Sequence, residues 1–291
     1  MRGVSVRKRI GRILWIVAAS LVAVTTVAPL VWTLATSFKP AGEILAGALN
    51  LIPQNPTIDN YVRVFSDAPF ARYFLNSLIL GVGGAVTNVF FGSLAGYALA
   101  RLRFRGRGGI FALYLSSMMV PAIVTMIPTF LILRYFPLMG GNDILGQGGV
   151  GFLNTYAAVI LPGAAGAFAV FFMKQFFETL PPELGDAARI DGAGEFRIFS
   201  QIYFPLARAG VSVLAILSFQ AGWNNFVWPL IVLNDPAMLT VQVGLASFVD
   251  AYETAVGPLM AGTVVASLPV LLVFLFAQRY IIEGVAHTGS K

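Results

Sequence analysis

Six long runs of apolar residues dominate the sequence and leave few folds open to it. A helix needs ~20 apolar residues to cross a hydrocarbon core of ~30 Å, and each run is about that long. The 291-residue chain is 57% hydrophobic and only 11% charged, whereas a soluble domain carries roughly 25% charged residues. These features predict an all-α integral membrane protein with six transmembrane helices. The predicted spans are Ile13–Thr36, Phe74–Ala100, Gly109–Leu133, Thr155–Met173, Gly210–Leu233 and Leu259–Ala277.

The first apolar run follows a cluster of basic residues, which is also how a secretory signal peptide begins. This run is 24 residues long, however, against roughly 7–15 for the apolar region of a signal peptide, and no small-residue cleavage site ends it. We therefore expect a retained first helix that follows a short tail, residues 1–12. The six-helix domain then covers residues 13–280, and residues 281–291 form a second tail.

Lysine and arginine are distributed unevenly between the segments that join the spans. With six spans both termini lie on one side, and the segments on that side hold 15 of the 19 basic residues. Acidic residues divide almost evenly, with six on that side and seven on the other. Because loops rich in Lys and Arg stay in the cytoplasm, the sequence predicts cytoplasmic N- and C-termini. The segment of about 178–206, between the fourth and fifth spans, is then cytoplasmic too.

The sequence offers no source of energy or catalysis of its own. None of the six predicted spans contains Asp, Glu, Lys, Arg or His, so no charged ion relay is indicated, although carbonyl and amide groups leave sodium binding open. No lysine follows a glycine, as a phosphate-binding loop requires. The only histidine is His287 in the C-terminal tail, and there is no cysteine. We therefore expect neither an enzyme nor a metal site, and no nucleic-acid-binding face.

Residues 180–205 carry the local signals of two short helices. Pro181-Pro182 suits a helix start, and acidic residues follow in the first turn. Asp191-Gly192 then supplies a turn with a residue free to take positive φ. Apolar and aromatic residues recur at helical spacing up to Pro205, which we expect to end the second helix. The aromatic face needs a cover, either the chain's own helices and lipid headgroups or a partner's groove, and periodicity does not decide between them.

The same segment resembles a known motif. The string Glu183-Leu184-x-Asp186-Ala187-Ala188-x-Ile190-Asp191-Gly192-Ala193, with Phe199, Ile202 and Pro205 downstream, resembles the EAA loop of permeases in binding-protein-dependent ABC importers. Asp186 stands where the family usually has Glu, and Gly185 is less typical. In such importers the EAA loop is the cytoplasmic coupling helix that contacts the ATPase. The resemblance therefore assigns ATPase coupling to Glu183, Leu184, Asp186, Ala187, Ala188, Ile190, Asp191, Gly192, Ala193, Phe196 and Phe199.

The resemblance extends through most of the chain, to carbohydrate-uptake permeases of the maltose-system type. The tail from Gln278-Arg279 onward is comparable, although residues 283–287 are less standard. The other matching segments are Ser37-Phe38-Lys39-Pro40, Pro56-Thr57-Ile58-Asp59-Asn60-Tyr61, Asn76-Ser77, Ala98-Leu99-Ala100-Arg101-Leu102 with Phe104-Arg105-Gly106, Pro121 and Pro128 in the third span, and Trp223-Asn224-x-Phe226 with Pro229-Leu230 in the fifth.

This resemblance implies one permease of a heterodimer in the bacterial or archaeal cytoplasmic membrane, in contact with membrane lipid. The implied partners are a homologous second permease, an ABC ATPase dimer and an extracytoplasmic solute-binding protein. ATP and Mg²⁺ would bind the ATPase, and this chain would bind no cofactor. The implied function is import of a sugar, an oligosaccharide or related glycoside, by alternating access. Two alternatives stay open: an ion-coupled secondary transporter acting alone, and an ABC permease for glycerol phosphate, an amino sugar or a polyol.

Polar and aromatic residues within the spans are candidates for the substrate path. Trp223, Asn224 and Asn225 combine a flat apolar face with amides, as sugar recognition requires, and Asn76 lies at the start of the second span. Alternatively, the tryptophan belongs to the interfacial aromatic belt and the asparagines bond neighbouring helices. The Gly92-x-x-x-Gly96 pattern in the second span favours close helix packing over a ligand site.

Overall fold

The structure, a computed structural model, describes residues 3–46, 50–250 and 255–286. Within these ranges the chain is helical, without a strand, and the all-α prediction is confirmed. His287 lies outside the described residues. The helices are α1 Gly3–Ser37, α2 Ala41–Leu45, α3 Asp59–Ser66, α4 Phe70–Arg101, α5 Arg107–Met118, α6 Ala122–Arg134, α7 Tyr156–Ile160, α8 Ala167–Glu178, α9 Glu183–Ile190, α10 Glu195–Ile198, α11 Phe204–Leu206, α12 Arg208–Trp223, α13 Val227–Val232, α14 Val241–Asp250 and α15 Val256–Ala286.

Three uninterrupted helices are long and apolar enough to cross a membrane. They are Lys8–Ser37, Phe70–Arg101 and Val256–Phe276, and they coincide with the first, second and sixth predicted spans. Three pairs of shorter helices also pass when each pair is taken together: α5 with α6, α7 with α8, and α10–α11 with α12. These pairs bend by 106°, 44° and 81° respectively. By length and composition, the described chain therefore has three helices that could cross a membrane, or up to six if each bent pair is one span.

Three of the predicted spans are broken near a proline. The third is interrupted at Met119–Pro121, where Pro121 precedes the first residue of α6. The fourth is interrupted after Pro162, between the helical turn that ends at Gly163 and the start of α8 at Ala167. The fifth, predicted as one helix over Gly210–Leu233, is wrong in that form, because α12 ends at Trp223 and α13 begins only at Val227. In a continuous helix the ring of Pro229 would clash with the carbonyl of Asn225, four residues earlier, and Asn225 lies in this break.

The chain divides into two compact units, and the first consists of Met1–Phe70 and Leu245–Leu268. In this unit the side-chain amide of Asn60 donates to the backbone oxygens of Ser37 (2.9 Å) and Lys39 (2.8 Å). Lys39 is 2% exposed, and its ammonium lies 4.9 Å from the centre of the Trp32 ring. The Ser-Phe-Lys-Pro segment therefore fastens the end of α1 to α3.

The second unit consists of Ala71–Gly244 and Pro269–Lys291, and close contact between α4 and α8 is central to it. A Cβ atom added to Gly92 would lie 2.7 Å from the Cβ of Ala169. One added to Gly96 would lie 2.8 Å from the backbone nitrogen of Lys174 and 2.8 Å from the Cβ of Met173. The two helices approach this closely only because both positions are glycine, which confirms the prediction of close packing.

Candidate functional site

The segment between α8 and α12, called loop 178–206 below, contains the first predicted short helix. Helix α9 begins at Glu183, directly after Pro182, and has two acidic residues in its first turn. It ends where Gly192 adopts φ +81°, and the amide of Ala193 donates to the carbonyl of Ala188 at 2.9 Å. Few residues other than glycine adopt this conformation without strain, so the predicted turn at Asp191-Gly192 is confirmed.

The second predicted helix ends slightly later than expected. It runs through α10, a π-helical turn at Phe199–Tyr203 and α11, and it ends at Leu206. Pro205 therefore lies inside its last turn and does not end it before that point. The wider π-helical turn shifts the carbonyl that the proline ring would otherwise strike, and the break follows at Ala207.

The outward face of loop 178–206 presents large apolar side chains that no other part of the described chain covers. Ile190 is 87% exposed, Phe196 69% and Leu184 40%. Groups of exposed apolar side chains rimmed by polar residues commonly mark interaction sites. The other predicted coupling residues exposed around them are Glu183, Asp186, Ala187, Asp191 and Gly192.

The inward face of the loop packs in a buried aromatic cluster. Phe199 is 6% exposed, and its ring centre lies 5.3 Å from that of Tyr97 on α4. Tyr203 is 1% exposed and lies 5.5 Å from the same ring, while Ala188 and Ala193 are partly buried against this cluster. The chain's own helices thus bury Phe199 and Tyr203 and leave Phe196 exposed.

A chain of polar side chains joins the loop to α4. The hydroxyl of Tyr97 donates to Glu195 Oε2 at 2.9 Å, and Arg189 Nε donates to Glu195 Oε1 at 2.7 Å. Arg189 Nη1 donates to Asp186 Oδ1 at 2.8 Å. The hydrogen bond to Glu195 raises the pKa of Arg189 above its ordinary value, so this guanidinium stays charged. The carboxylate of Asp186 therefore stabilises the loop's own fold.

Arg101 forms a second attachment at the last residue of α4. Its guanidinium donates to the backbone oxygens of Phe177 and Leu180 and lies 4.9 Å from the centre of the Tyr203 ring. The Tyr203 hydroxyl in turn donates to the oxygen of Pro181 at 3.2 Å. Arg101 thus satisfies carbonyl groups that the end of α8 leaves without helical partners.

Sequence reasoning missed the roles of the residues that make these attachments. Arg101 contributed to the topology signal and to a segment that resembles the family, but with no assigned contact, and Tyr97 and Glu195 carried no signal. The one local indication was the spacing of Asp186 and Arg189, three positions apart on a helix, where opposite charges meet.

Charged side chains also lie on α8 directly beyond the predicted fourth span, Thr155–Met173. Lys174 is 8% exposed, and its ammonium lies 2.7 Å from Glu178 and 4.3 Å from the centre of the Phe111 ring. Arg107 lies 3.6 Å from the same carboxylate. The buried charge of Lys174 is therefore paired with a carboxylate, as a buried ionic group must be.

Asn76, a predicted path residue, is fully engaged by the protein. It is 0% exposed, and its amide nitrogen donates to the oxygens of Ala237 (2.9 Å) and Leu239 (2.8 Å). Its Oδ1 accepts a hydrogen bond from the Tyr156 hydroxyl at 2.8 Å. In this conformation the side chain joins α4 to the segment after α13.

Trp223 is likewise buried. It is 1% exposed, with ring centres of Phe74 and Phe219 at 5.2 and 5.8 Å. Its neighbour Asn224 is exposed in the break between α12 and α13. The four predicted path residues therefore do not form one site in this conformation.

Asn225 is the predicted path residue that faces a cavity, of about 280 Å³. The side-chain amide of Asn225 makes no hydrogen bond within the described part of the protein. The indole nitrogen of Trp228 donates to the oxygen of Ala158 at 3.0 Å. The cavity is lined by Ala122, Thr125, Met126, Thr129, Val159, Pro162, Gly163, Asn225 and Trp228.

Comparison with known proteins gives similar sequences over nearly the whole chain. A profile of the family described as "Binding-protein-dependent transport system inner membrane component" matches residues 88–287. The arabinooligosaccharides transport system permease protein AraQ of Bacillus subtilis is 39% identical, over 90% of each chain. AraQ of Halalkalibacterium halodurans is 37% identical over 94% of each chain. The diacetylchitobiose uptake system permease protein NgcG of Streptomyces coelicolor is 35% identical, over 91% of this chain and 84% of its own.

A solved structure supports the fold. One chain of a bacterial ABC transporter involved in the import of the acidic polysaccharide alginate superposes with a TM-score of 0.82 at 24% identity. The match covers 94% of this chain and 97% of that one. With the family profile over most of the sequence and relatives above 30% identity along nearly all of it, the chain belongs to the inner membrane components of binding-protein-dependent transport systems, the permease subunits of ABC importers.

Proposed function

We propose that this chain is one of two permease subunits of an ATP-driven oligosaccharide importer, and that a partner ATPase docks on the outward face of loop 178–206. Family membership supports the importer. The observation that carries the docking site is the exposed apolar set of Leu184, Ile190 and Phe196 on a loop held in place from its other face. The chain is a translocation subunit, and ATP is hydrolysed by a separate subunit.

The membrane arrangement follows from the same proposal. The three uninterrupted helices, the bent pairs α5–α6 and α7–α8, and helix α12 make six spans, with both termini and loop 178–206, including α10 and α11, in the cytoplasm. Support comes from the number of apolar elements and from the 15 basic residues on that side. Loop 178–206 then faces the compartment that contains ATP, and the loop 135–154 faces the solute-binding protein.

Coupling requires a loop that moves as one body. Ile190 and Phe196 fill a groove of the ATPase, and the Asp191-Gly192 turn between them enters the same groove without a bulky side chain. Phe199 supports the loop from inside, where it packs on Tyr97. Closure of the ATPase dimer on ATP pushes this body and converts the permease pair from inward-open to outward-open.

The substitution Ile190→Asp tests the docking site. A charge at the centre of an apolar interface is expected to weaken the complex by about 2 kcal/mol, or roughly thirtyfold, as loss of an interface hot spot does. The measurement is the amount of ATPase that copurifies with the tagged permease, together with sugar uptake.

Ile144→Asp provides the matched control, because Ile144 is 75% exposed and lies on the loop 135–154. This variant must retain the ATPase at the wild-type level. Equal retention by Ile190→Asp would show that the ATPase does not dock there.

The substrate is an oligosaccharide, in line with the sugars named for the relatives AraQ and NgcG. The path passes the cavity at Asn225, where a free amide and the ring of Trp228 offer the hydrogen bond and flat face that a sugar requires. Asn76, Trp223 and Asn224 complete the proposed path, the first two from buried positions that only a rearranged conformation would open.

A second substrate class has a specific observation in its favour. The sn-glycerol-3-phosphate permease protein UgpE of Agrobacterium fabrum is 29% identical over 89% of this chain. Titration of the cognate solute-binding protein with oligosaccharides and glycerol phosphate distinguishes the two. Tight binding of an oligosaccharide alone supports the proposal, whereas tight binding of glycerol phosphate alone refutes it.

A further inference from the structure

Helix α4 holds loop 178–206 at two points. Arg101 binds carbonyl groups where the chain enters the loop, at Phe177 and Leu180. Tyr97 binds Glu195, where the chain begins its return. Residues four positions apart lie on the same face of a helix, so one turn at the end of α4 makes both attachments.

These attachments lie in or beside a packed core. Tyr97 is 3% exposed, and its ring is in contact with the rings of Phe177, Phe199 and Tyr203 at centre distances of 5.3–5.9 Å. The ring of Tyr97 is thus fixed by packing, and the hydrogen bond from its hydroxyl to a carboxylate is stronger than a neutral one. From Glu195 the connection continues through Arg189 to α9. A displacement of α9 thus reaches α4 through side chains that are already in contact.

The opposite end of α4 holds a different segment. Asn76 binds the oxygens of Ala237 and Leu239, and Ser77 Oγ accepts a hydrogen bond from the amide of Val241 at 2.9 Å. Between Asn76 and Tyr97 the helix is uninterrupted and contains no proline. At 1.5 Å per residue, these two attachment points lie roughly 30 Å apart, about the thickness of a hydrocarbon core.

We propose that Tyr97 and Arg101 are the positioning residues that transmit motion of loop 178–206 to α4, and that α4 carries this motion to segment 236–241 on the other side of the membrane. The proposal rests on the proposed docking of an ATPase on the loop. Neither residue contacts substrate or ATP. Their role is to couple ATP hydrolysis to substrate transport.

Tyr97→Phe tests this role with a minimal change. It removes the hydroxyl that binds Glu195 and keeps the ring that packs in the core. The whole importer is reconstituted with its ATPase and binding protein, and ATP hydrolysis and sugar uptake are measured on the same vesicles. We expect near wild-type hydrolysis, with the sugar transported per ATP reduced by roughly fivefold, the lower end of ordinary coupling between sites.

Tyr73→Phe is the matched control. Tyr73 lies on the same helix and is 6% exposed, but its hydroxyl makes no hydrogen bond within the described residues. This variant must keep the wild-type ratio. Glu195→Gln weakens the same hydrogen bond from its other partner, so it must lower the ratio too, and adding it to Tyr97→Phe must cause little further loss.

A wild-type ratio of sugar to ATP in either Tyr97→Phe or Glu195→Gln would overturn the proposal, and so would a proportional fall in both activities. A ratio that falls equally in Tyr73→Phe would do the same, because the effect would then follow any buried tyrosine on α4. Failure of the proposed function is recognised separately, since the wild-type permease would then not retain an ATPase.

Discussion

At the scale of single residues, hydrogen-bonding capacity separates the polar groups that build the protein from those open to a substrate. The side-chain amide of Asn76 is fully hydrogen-bonded, because its nitrogen donates to two backbone oxygens and its oxygen accepts from the Tyr156 hydroxyl. The amide of Asn225 is unused within the described chain and faces a cavity beside Trp228. A sugar hydroxyl would find a partner at Asn225 without displacing a contact of the protein.

The corresponding prediction concerns Asn225→Ala. Loss of one hydrogen bond to a neutral sugar is worth about 1 kcal/mol, so uptake is expected to need roughly fivefold more loaded binding protein for half-maximal rate. Asn234→Ala gives the comparison, because Asn234 is exposed, does not line the cavity and is not one of the proposed path residues. Equal effects of the two substitutions on uptake, or none from Asn225→Ala, would contradict the assignment.

The residues of loop 178–206 were predictable to different degrees. Pro182, Glu183 and Gly192 act on their own neighbours, so their roles follow from local backbone chemistry. Tyr97 and Glu195 are 98 positions apart, and no spacing rule connects two residues that meet only in the folded chain. The division of the aromatic residues into buried Phe199 and exposed Phe196 likewise depends on where α4 and α8 pack.

At the scale of elements, prolines and glycines determine how the apolar runs become helices. The hydropathy profile located the apolar runs, because local hydropathy depends only on which residues a segment contains. It did not locate the 106° bend before α6 or the break between α12 and α13, because proline is apolar and does not interrupt a hydropathy profile. Gly92 and Gly96 were predictable as a packing motif, since their spacing places both on one helix face.

The contact of α4 with α8 yields a prediction. Gly96→Ala places a methyl group 2.8 Å from backbone and side-chain atoms of α8, and overpacking of this kind costs about 1–3 kcal/mol. Gly84→Ala is the control on the same helix, because a Cβ there has no heavy atom within 4 Å. Alanine is the better helix former by roughly 0.5–1 kcal/mol, so the control should be neutral or stabilising.

Thermal unfolding of the purified complexes checks this pair of variants. The Gly96→Ala midpoint must fall while the Gly84→Ala midpoint holds or rises. Equal midpoints would mean that α4 and α8 are not in contact at Gly96.

At the scale of the whole molecule, the distribution of basic residues, the exposed apolar loop and the family together support the proposed orientation. The natural sequence contains no cysteine, so a single introduced cysteine is the only thiol in the permease. Ile190 and Ile144 are 87% and 75% exposed, and the proposed six-span arrangement places them on opposite sides of the membrane. A cysteine introduced at either position therefore reports which side of the membrane its loop faces.

We predict that a membrane-impermeant thiol reagent labels Ile144→Cys in cells whose cytoplasmic membrane is intact and exposed. Under the same conditions it must not label Ile190→Cys. Inverted membrane vesicles must give the opposite pattern. Labelling of Ile190→Cys from the outside would place loop 178–206 away from the ATPase and rule out its proposed role.

The most direct measurement of the central claim is sugar uptake into vesicles that contain whatever copurifies with the tagged permease. We predict recovery of a second permease and an ATPase, with uptake that requires both the binding protein and ATP in the compartment facing loop 178–206. Uptake by the purified chain alone, driven by an ion gradient and indifferent to ATP, would contradict the account and identify a secondary transporter.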